Sequence, residues 1–154
     1  MNQEEFEAKI LFGVEENFRR DHEIIPVLVG TLDGEDSIGV IPLGQLMGDV
    51  EGKELVGALI ANFRAKVELL AFVSEVWMVQ AKTTDAKEAM KVAPSQHPDR
   101  VEKVMVNFYY GPKVKVWLAE IIRPELENPR LGNWESLDEL KVTGRMMQTP
   151  AEWN

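Results

Sequence analysis

At 154 residues, 45% hydrophobic and 28% charged, the chain has the length of one globular domain and enough apolar mass for a sizeable core, which excludes a disordered linker or tail. A net charge of −9, spread along the sequence, repels phosphate backbones, so no nucleic-acid partner is expected. The absence of cysteine excludes thiol catalysis, disulfides, thiolate-bound zinc and iron–sulfur clusters together.

The opening MNQEEFEAKI has neither the basic region nor the apolar core of a signal peptide. The longest apolar stretch, around Leu69 to Val79, is interrupted by Ser74 and Glu75 and is too short for a bilayer span. A cytoplasmic location with no membrane association is the expectation. From there NQEEFEAKILFGVEENFRR reads as a helix. Asn2 caps it, Glu4, Glu5 and Glu7 suit the positive end of its dipole, and Arg19 and Arg20 suit the other end. Phe6, Ile10, Val14 and Phe18 recur every four residues on one stripe, with Leu11 beside them.

EIIPVLVGTL and SIGVIPL are β-rich runs separated by the turn signal DGED, so they predict a hairpin. Pro26 and Pro42 lack amide hydrogens and belong at strand ends, edges or bulges. Asp49 opens a second helix to about Lys66, with Leu55, Leu59, Ile60 and Phe63 expected on its buried face and Val56 alongside. LLAFVSEVWMVQA follows as a long strand, then a polar connector with a helical turn around Ala86 to Met90. VEKVMVNFYYGPKVKVWLAEIIR is a second hairpin turning at Gly111-Pro112. The tail from about residue 124 reads as irregular, with Trp134, the SLDEL segment and Trp153 as its packing candidates.

The order α-β-β-α-β-β-β predicts a single α+β domain over 1–154, an antiparallel sheet of about five strands with two main helices. Threading the second hairpin through its turn sets Lys103 opposite Glu120, Met105 opposite Leu118 and Val106 opposite Trp117, a register supported by its opposite-charge pair. One face then carries Val104, Val106, Phe108, Trp117, Ala119 and Ile121 and reads as core. The other carries Met105, Tyr109, Val116 and Leu118 among polar residues. A sheet apolar on both faces needs cover on both, from the first helix or from a second copy of the chain.

Chemistry is sparse. Only His22 and His97 are present, with no spacing that builds a zinc site; neither a metal nor a cofactor is expected. No Gly-x-Ser-x-Gly elbow, dinucleotide fingerprint or Walker loop occurs. Glu75 shares a strand face with Val73 and Trp77, and a carboxylate in that position needs a cation or hydrogen bonds, or its pKa rises. In PSQHPDR, Pro94 and Pro98 stiffen a loop holding His97, Asp99 and Arg100. The structural reading makes this loop a connector whose Asp99 takes backbone hydrogens at the strand entrance. The functional reading makes His97 a general base or a ligand contact and Arg100 an anion holder. With Glu75 placed opposite about Phe108, Arg100 lies eight residues further on, about 26 Å at the rise of a strand, too far to share a site unless the connector folds back.

The FVSEVWM strand and the PSQHPDR loop resemble a family of small bacterial and phage proteins of no assigned activity. Those proteins carry a Ser-Glu-x-Trp strand and a His-Pro-Asp-Arg loop, and the likeness covers about residues 69 to 110. It carries no catalytic residue, and implies a phage or mobile-element accessory protein. The leading expectation is therefore a non-enzymatic binding or assembly protein, with a protein partner or a two-fold homodimer meeting Trp77, Met105, Tyr109, Val116 and Leu118. The alternative is a small hydrolase or nucleotide-handling enzyme using Glu75, His97, Asp99 and Arg100.

Overall fold

A stripe of four apolar residues at a spacing of four is the first structural commitment of the chain, and it becomes a 19-residue helix, α1 (Gln3–Asp21), whose buried residues are Phe6, Ile10, Val14 and Phe18. The computed structural model describes residues 1–31, 37–79 and 100–137. Asn2 caps α1 by accepting the Glu5 N–H at 2.8 Å, which satisfies one of the unpaired amides of the first turn. The helix ends where His22 enters the left-handed region at φ 60° and donates its N–H to the Phe18 carbonyl at 2.7 Å, closing the last turn.

Strands β1 (Val27–Thr31) and β2 (Ile38–Pro42) form the expected first hairpin, with Val29 opposite Val40. A 3-10 turn (Leu46–Gly48) leads into α2 (Val50–Arg64), capped by Asp49, whose carboxylate accepts the Gly52 N–H at 2.6 Å. The buried face of α2 is Val56, Gly57, Ile60 and Arg64. Leu55 lies exposed, so the face is rotated from the expected one. The spacing-four series 56, 60, 64 places an arginine on the buried stripe, and an apolar count passes over that residue.

Strands β3 (Leu70–Met78), β4 (Val101–Tyr110) and β5 (Lys113–Ile122) form the long antiparallel centre of the sheet. Two-residue strands β6 (Arg130–Leu131) and β7 (Glu135–Ser136) both pair with β5, and the sheet order is β2-β1-β3-β4-β5-β6. The fold is α+β as expected, with two short strands beyond the five anticipated, drawn from the tail expected to be irregular. The β4–β5 register matches the expected one, with Lys103 opposite Glu120, Met105 opposite Leu118 and Val106 opposite Trp117. Gly111 turns this hairpin at φ 60°, and a following proline at negative φ gives the sign pattern of a type II′ turn, whose twist suits the flanking strands.

The two faces of the sheet have different covers. On one, Phe6, Ile10, Val14 and Phe18 of α1 pack on Val73, Val104, Val106, Phe108 and Ile121, with Phe6 edge-on to Phe108 at 5.8 Å between ring centres. On the other, Val56 and Ile60 of α2 pack on Leu28, Leu70, Phe72 and Tyr109. A smaller cluster on this second face joins Met105, Val116, Leu118 and Leu137. Among the described residues no helix is long and apolar enough to cross a membrane. The expected helical turn at Ala86 to Met90, the SLDEL segment beyond Leu137 and Trp153 lie outside the described residues.

Carboxylates fasten α1 to the sheet. Glu7 accepts hydrogen bonds from the Tyr110 hydroxyl and the Trp117 indole, both at 2.8 Å, and pairs with the Lys115 ammonium at 3.0 Å. Glu7 therefore serves as a tie across the α1–sheet interface rather than only as a partner of the helix dipole. One turn-pair further on, Glu15 accepts the Trp134 indole N–H at 2.8 Å. Burial raises the pKa of Glu7, but the bonds from Trp117, Tyr110 and Lys115 outweigh it and hold the carboxyl below its ordinary value of 4.5.

Two outcomes follow for stability. Glu7→Gln is expected to cost about 1–2 kcal/mol at pH 7. Because the folded pKa is depressed, wild-type stability from this group is full above pH 4.5 and is lost as pH falls through the lower folded value, so the urea midpoints of the two proteins converge in acid. Gly52 and Gly13 separate by sign. A Cβ at Gly52 runs into the Leu46 carbonyl, whereas one at Gly13 meets nothing. Thermal melts should show Gly13→Ala stabilised by about 0.5–1 kcal/mol and Gly52→Ala destabilised by about 1–3 kcal/mol.

Candidate functional site

Strand alternation places Glu75 and Trp77 on the face that α1 covers, in phase with Val73. The same rule puts Glu102 and Arg100 in phase with Val104 on β4. Trp77 is opposite Glu102, and Glu75 is opposite Val104. These residues lie past the C-terminal end of α1, where the apolar core gives way to a polar cluster at the end of the sheet.

The register corrects the sequence-based separation. Glu75 was expected opposite about Phe108, and it stands four residues away from that position. The connector between β3 and β4 is long, so no tight turn pins their pairing. The apolar pattern fixes which face is buried but is blind to a slide of two or four residues. In the observed register Arg100 is only four residues beyond the partner of Glu75, about 13 Å along the strand rather than 26 Å. Glu75 and Arg100 therefore share one face of adjoining strands. His97 and Asp99 lie outside the described residues.

Glu75 is half-buried, and its Oε1 accepts the Ile24 N–H at 2.7 Å. That bond anchors the segment joining α1 to β1. Loss of water raises the pKa of Glu75; the Ile24 N–H opposes this, the Glu102 charge adds to it, Arg123 opposes it and Glu23 adds to it, leaving the pKa above 4.5. Glu102 goes the other way. Arg123 grips it through two bonds of 2.7 Å each, and this pairing outweighs burial and holds its pKa down. Two carboxylates on neighbouring strands thus shift in opposite directions, Glu75 upward mainly through burial and Glu102 downward mainly through Arg123.

Trp77 remains 43% exposed. The Arg100 guanidinium carbon lies 5.0 Å from the centre of its ring, within the range of a cation–π contact. The other four expected contact residues are not on the surface. Tyr109 lies beneath α2, and Met105, Val116 and Leu118 pack with Leu137. The expectation that Met105, Tyr109, Val116 and Leu118 form an open binding face is corrected: all four are buried, Tyr109 against α2 and the other three with Leu137.

Sequence reasoning missed the polar residues inside this second face. Arg64, Ser74, Lys103 and Asn107 are all buried. Arg64 donates to the Gly111 carbonyl at 2.8 Å and sits 4.8 Å over the Tyr109 ring. The Asn107 amide donates to the Tyr109 hydroxyl at 3.3 Å, while its oxygen meets no hydrogen-bond donor among the described residues. Burial raises the Tyr109 pKa, keeping it neutral. The signal available in the sequence was the phase of Lys103, Asn107 and Ser74, which share strand parity with Met105, Tyr109 and Phe72.

A cleft of about 560 Å³ lies between the last turn of α1 and the β6 region, lined by residues that include Glu15, Phe18, Arg19, His22 and Arg130. Among the described residues no group of three or more histidines and carboxylates converges as a metal site. No protein-family model, curated protein or solved structure matches the chain.

Glu75 supplies a test of the site's electrostatics. Its folded pKa is raised, so its ionisation opposes folding, and stability falls as pH rises from 4.5 through the folded value. Glu75→Gln keeps an acceptor for the Ile24 N–H. Its urea midpoint should exceed that of wild type at pH 7 and match it below about pH 4. A lower midpoint at pH 7 would show that the fold uses the ionised form.

Proposed function

We propose that the chain is a non-enzymatic binding protein that presents the Trp77–Arg100 end of its sheet to a protein partner. The observation that carries this reading is Trp77, exposed on a strand whose first five residues are buried and held beside a guanidinium. Tryptophan and arginine are enriched among the residues that dominate protein interfaces, because the indole brings a wide, rigid surface and the guanidinium a planar, weakly hydrated charge. The neighbouring charges support a contact role, since Glu102 is already satisfied by Arg123 and Glu75 by a backbone amide.

Photo-crosslinking from a benzoyl-phenylalanine at position 77 should yield one discrete protein adduct in the native host extract. Trp77→Ala should weaken binding of the captured partner at least about tenfold, about 1.4 kcal/mol, with an unchanged melting midpoint. Absence of any adduct, together with a monomer by light scattering, would count decisively against this reading.

A second reading has one observation in its favour, the register that brings Glu75 and Arg100 onto one face. On it the chain is a small hydrolase or nucleotide-handling enzyme in which Glu75, with its raised pKa, works as a general acid or base. Arg100 holds developing negative charge, and the sequence supplies His97 and Asp99 to the same loop. Turnover of nucleotide or activated-ester substrates by the wild type, lost in both Glu75→Ala and His97→Ala, is the expected result. No turnover across such a panel removes this reading.

A further inference from the structure

The two edges of the sheet are treated differently. Beyond β5 the chain returns twice, pairing Leu131 with Ile121 and Ser136 with Trp117, so that edge is covered. At the other end β2 pairs with β1 alone, and among the described residues no strand takes its outer side. Proteins normally blunt such an edge with charge or a covering segment, because a row of unpaired amides and carbonyls is a template for another strand. β2, with the sequence IGVIP, carries no charged residue. Val40 is 58% exposed and Ile41 38% exposed.

The hydrogen-bond phase of this edge is fixed by its partner. Leu43 donates to the Pro26 carbonyl at 2.8 Å, so residues 39, 41 and 43 turn their backbone groups toward β1. Ile38, Val40 and Pro42 turn theirs outward. Pro42 thus loses nothing inside its own sheet by lacking an N–H.

We propose that β2 pairs antiparallel with β2 of a second copy about a two-fold axis through Val40, joining the two sheets. In that register Val40 exchanges both backbone bonds with Val40 of the second copy. The Ile38 N–H donates to the Pro42 carbonyl on each side, giving four bonds in all, and the exposed Val40 side chain packs on its own copy. An axis through Gly39 also gives four bonds, but it leaves Pro42 outside the pair and sets Val40 beside Ile38. The surface is distinct from the Trp77 end and does not depend on it. A five-residue edge buries far less than the roughly 1,200 Å² of a stable interface, so the dimer is concentration-dependent. Each copy carries a net charge of −9 while the joining strands are neutral, so screening by salt strengthens the pairing.

The lack of cysteine makes the register directly readable. Facing residues of a hydrogen-bonded antiparallel pair lie about 5.5 Å apart between Cα atoms, within disulfide range. Under a glutathione redox buffer Val40→Cys should crosslink to dimer at least about tenfold faster than Ile38→Cys, whose own copy lies about 14 Å away, and than Val50→Cys, exposed on α2. Sedimentation of the wild type should move from monomer toward dimer with concentration and with added salt. Val40→Lys, with unchanged circular dichroism, should remain monomeric. A wild type that stays monomeric at about 500 μM in 0.5 M salt, equal crosslinking at all three positions, or faster crosslinking through Gly39→Cys than through Val40→Cys overturns the proposal.

Discussion

Burial of the Phe6–Ile10–Val14–Phe18 stripe against β3, β4 and β5 is the contact on which the rest of this structure depends. It covers the face of the sheet that is apolar along its whole centre, and large aromatic and aliphatic side chains of this kind contribute about 1.5–3 kcal/mol each on burial. Hydrophobic contact alone leaves a helix free to slide or roll. The polar ties remove that freedom: Glu7 meets Tyr110, Trp117 and Lys115 near one end, and Glu15 meets Trp134 further along. Glu75, from the strand side, takes the Ile24 amide just beyond the helix. The acidic character of α1 is thus partly spent inside the fold, on indole and phenol donors that no simple charge pattern identifies.

The candidate site is a by-product of where that helix stops. α1 ends at Asp21, while β3 and β4 run on to Met78 and back from Val101. The end of the sheet beyond α1 carries Glu75, Trp77, Arg100, Glu102 and Arg123. A short helix on a longer sheet leaves a half-dry ledge. Carboxylates there feel burial unequally, so Glu75 and Glu102, close neighbours of the same chemistry, shift in opposite directions. Burial dominates at Glu75, whereas at Glu102 the guanidinium of Arg123, which forks onto it, outweighs burial.

The second face shows how residues of the same chain cover the other apolar side of the sheet. α2 covers the end near Tyr109, and Leu137 joins Met105, Val116 and Leu118. The residues that look most adhesive in the sequence are consequently internal. A methionine–tyrosine–leucine face reads the same whether its cover comes from the same chain or another, because alternation records burial and not the identity of the covering group.

The sequence by itself determined the helices, their Asn2 and Asp49 caps, the first hairpin, and the β4–β5 register with Lys103 on Glu120. Each rests on local physics: a 3.6-residue or two-residue period, a side chain that satisfies an amide three residues on, a two-residue turn that leaves one pairing. Only the tertiary structure decided how β3 slides against β4, since a register without a tight turn is set by side chains distant in sequence, such as Phe108 meeting Phe6. The same is true of the buried stripe of α2, where Arg64 finds the Gly111 carbonyl and the Tyr109 ring, and of the return of Leu137 over the second face. Glu75 was legible as a residue needing a partner. That the partner is the Ile24 amide, and that Arg100 lies on the same face, came from long-range pairing, which no period in the sequence encodes.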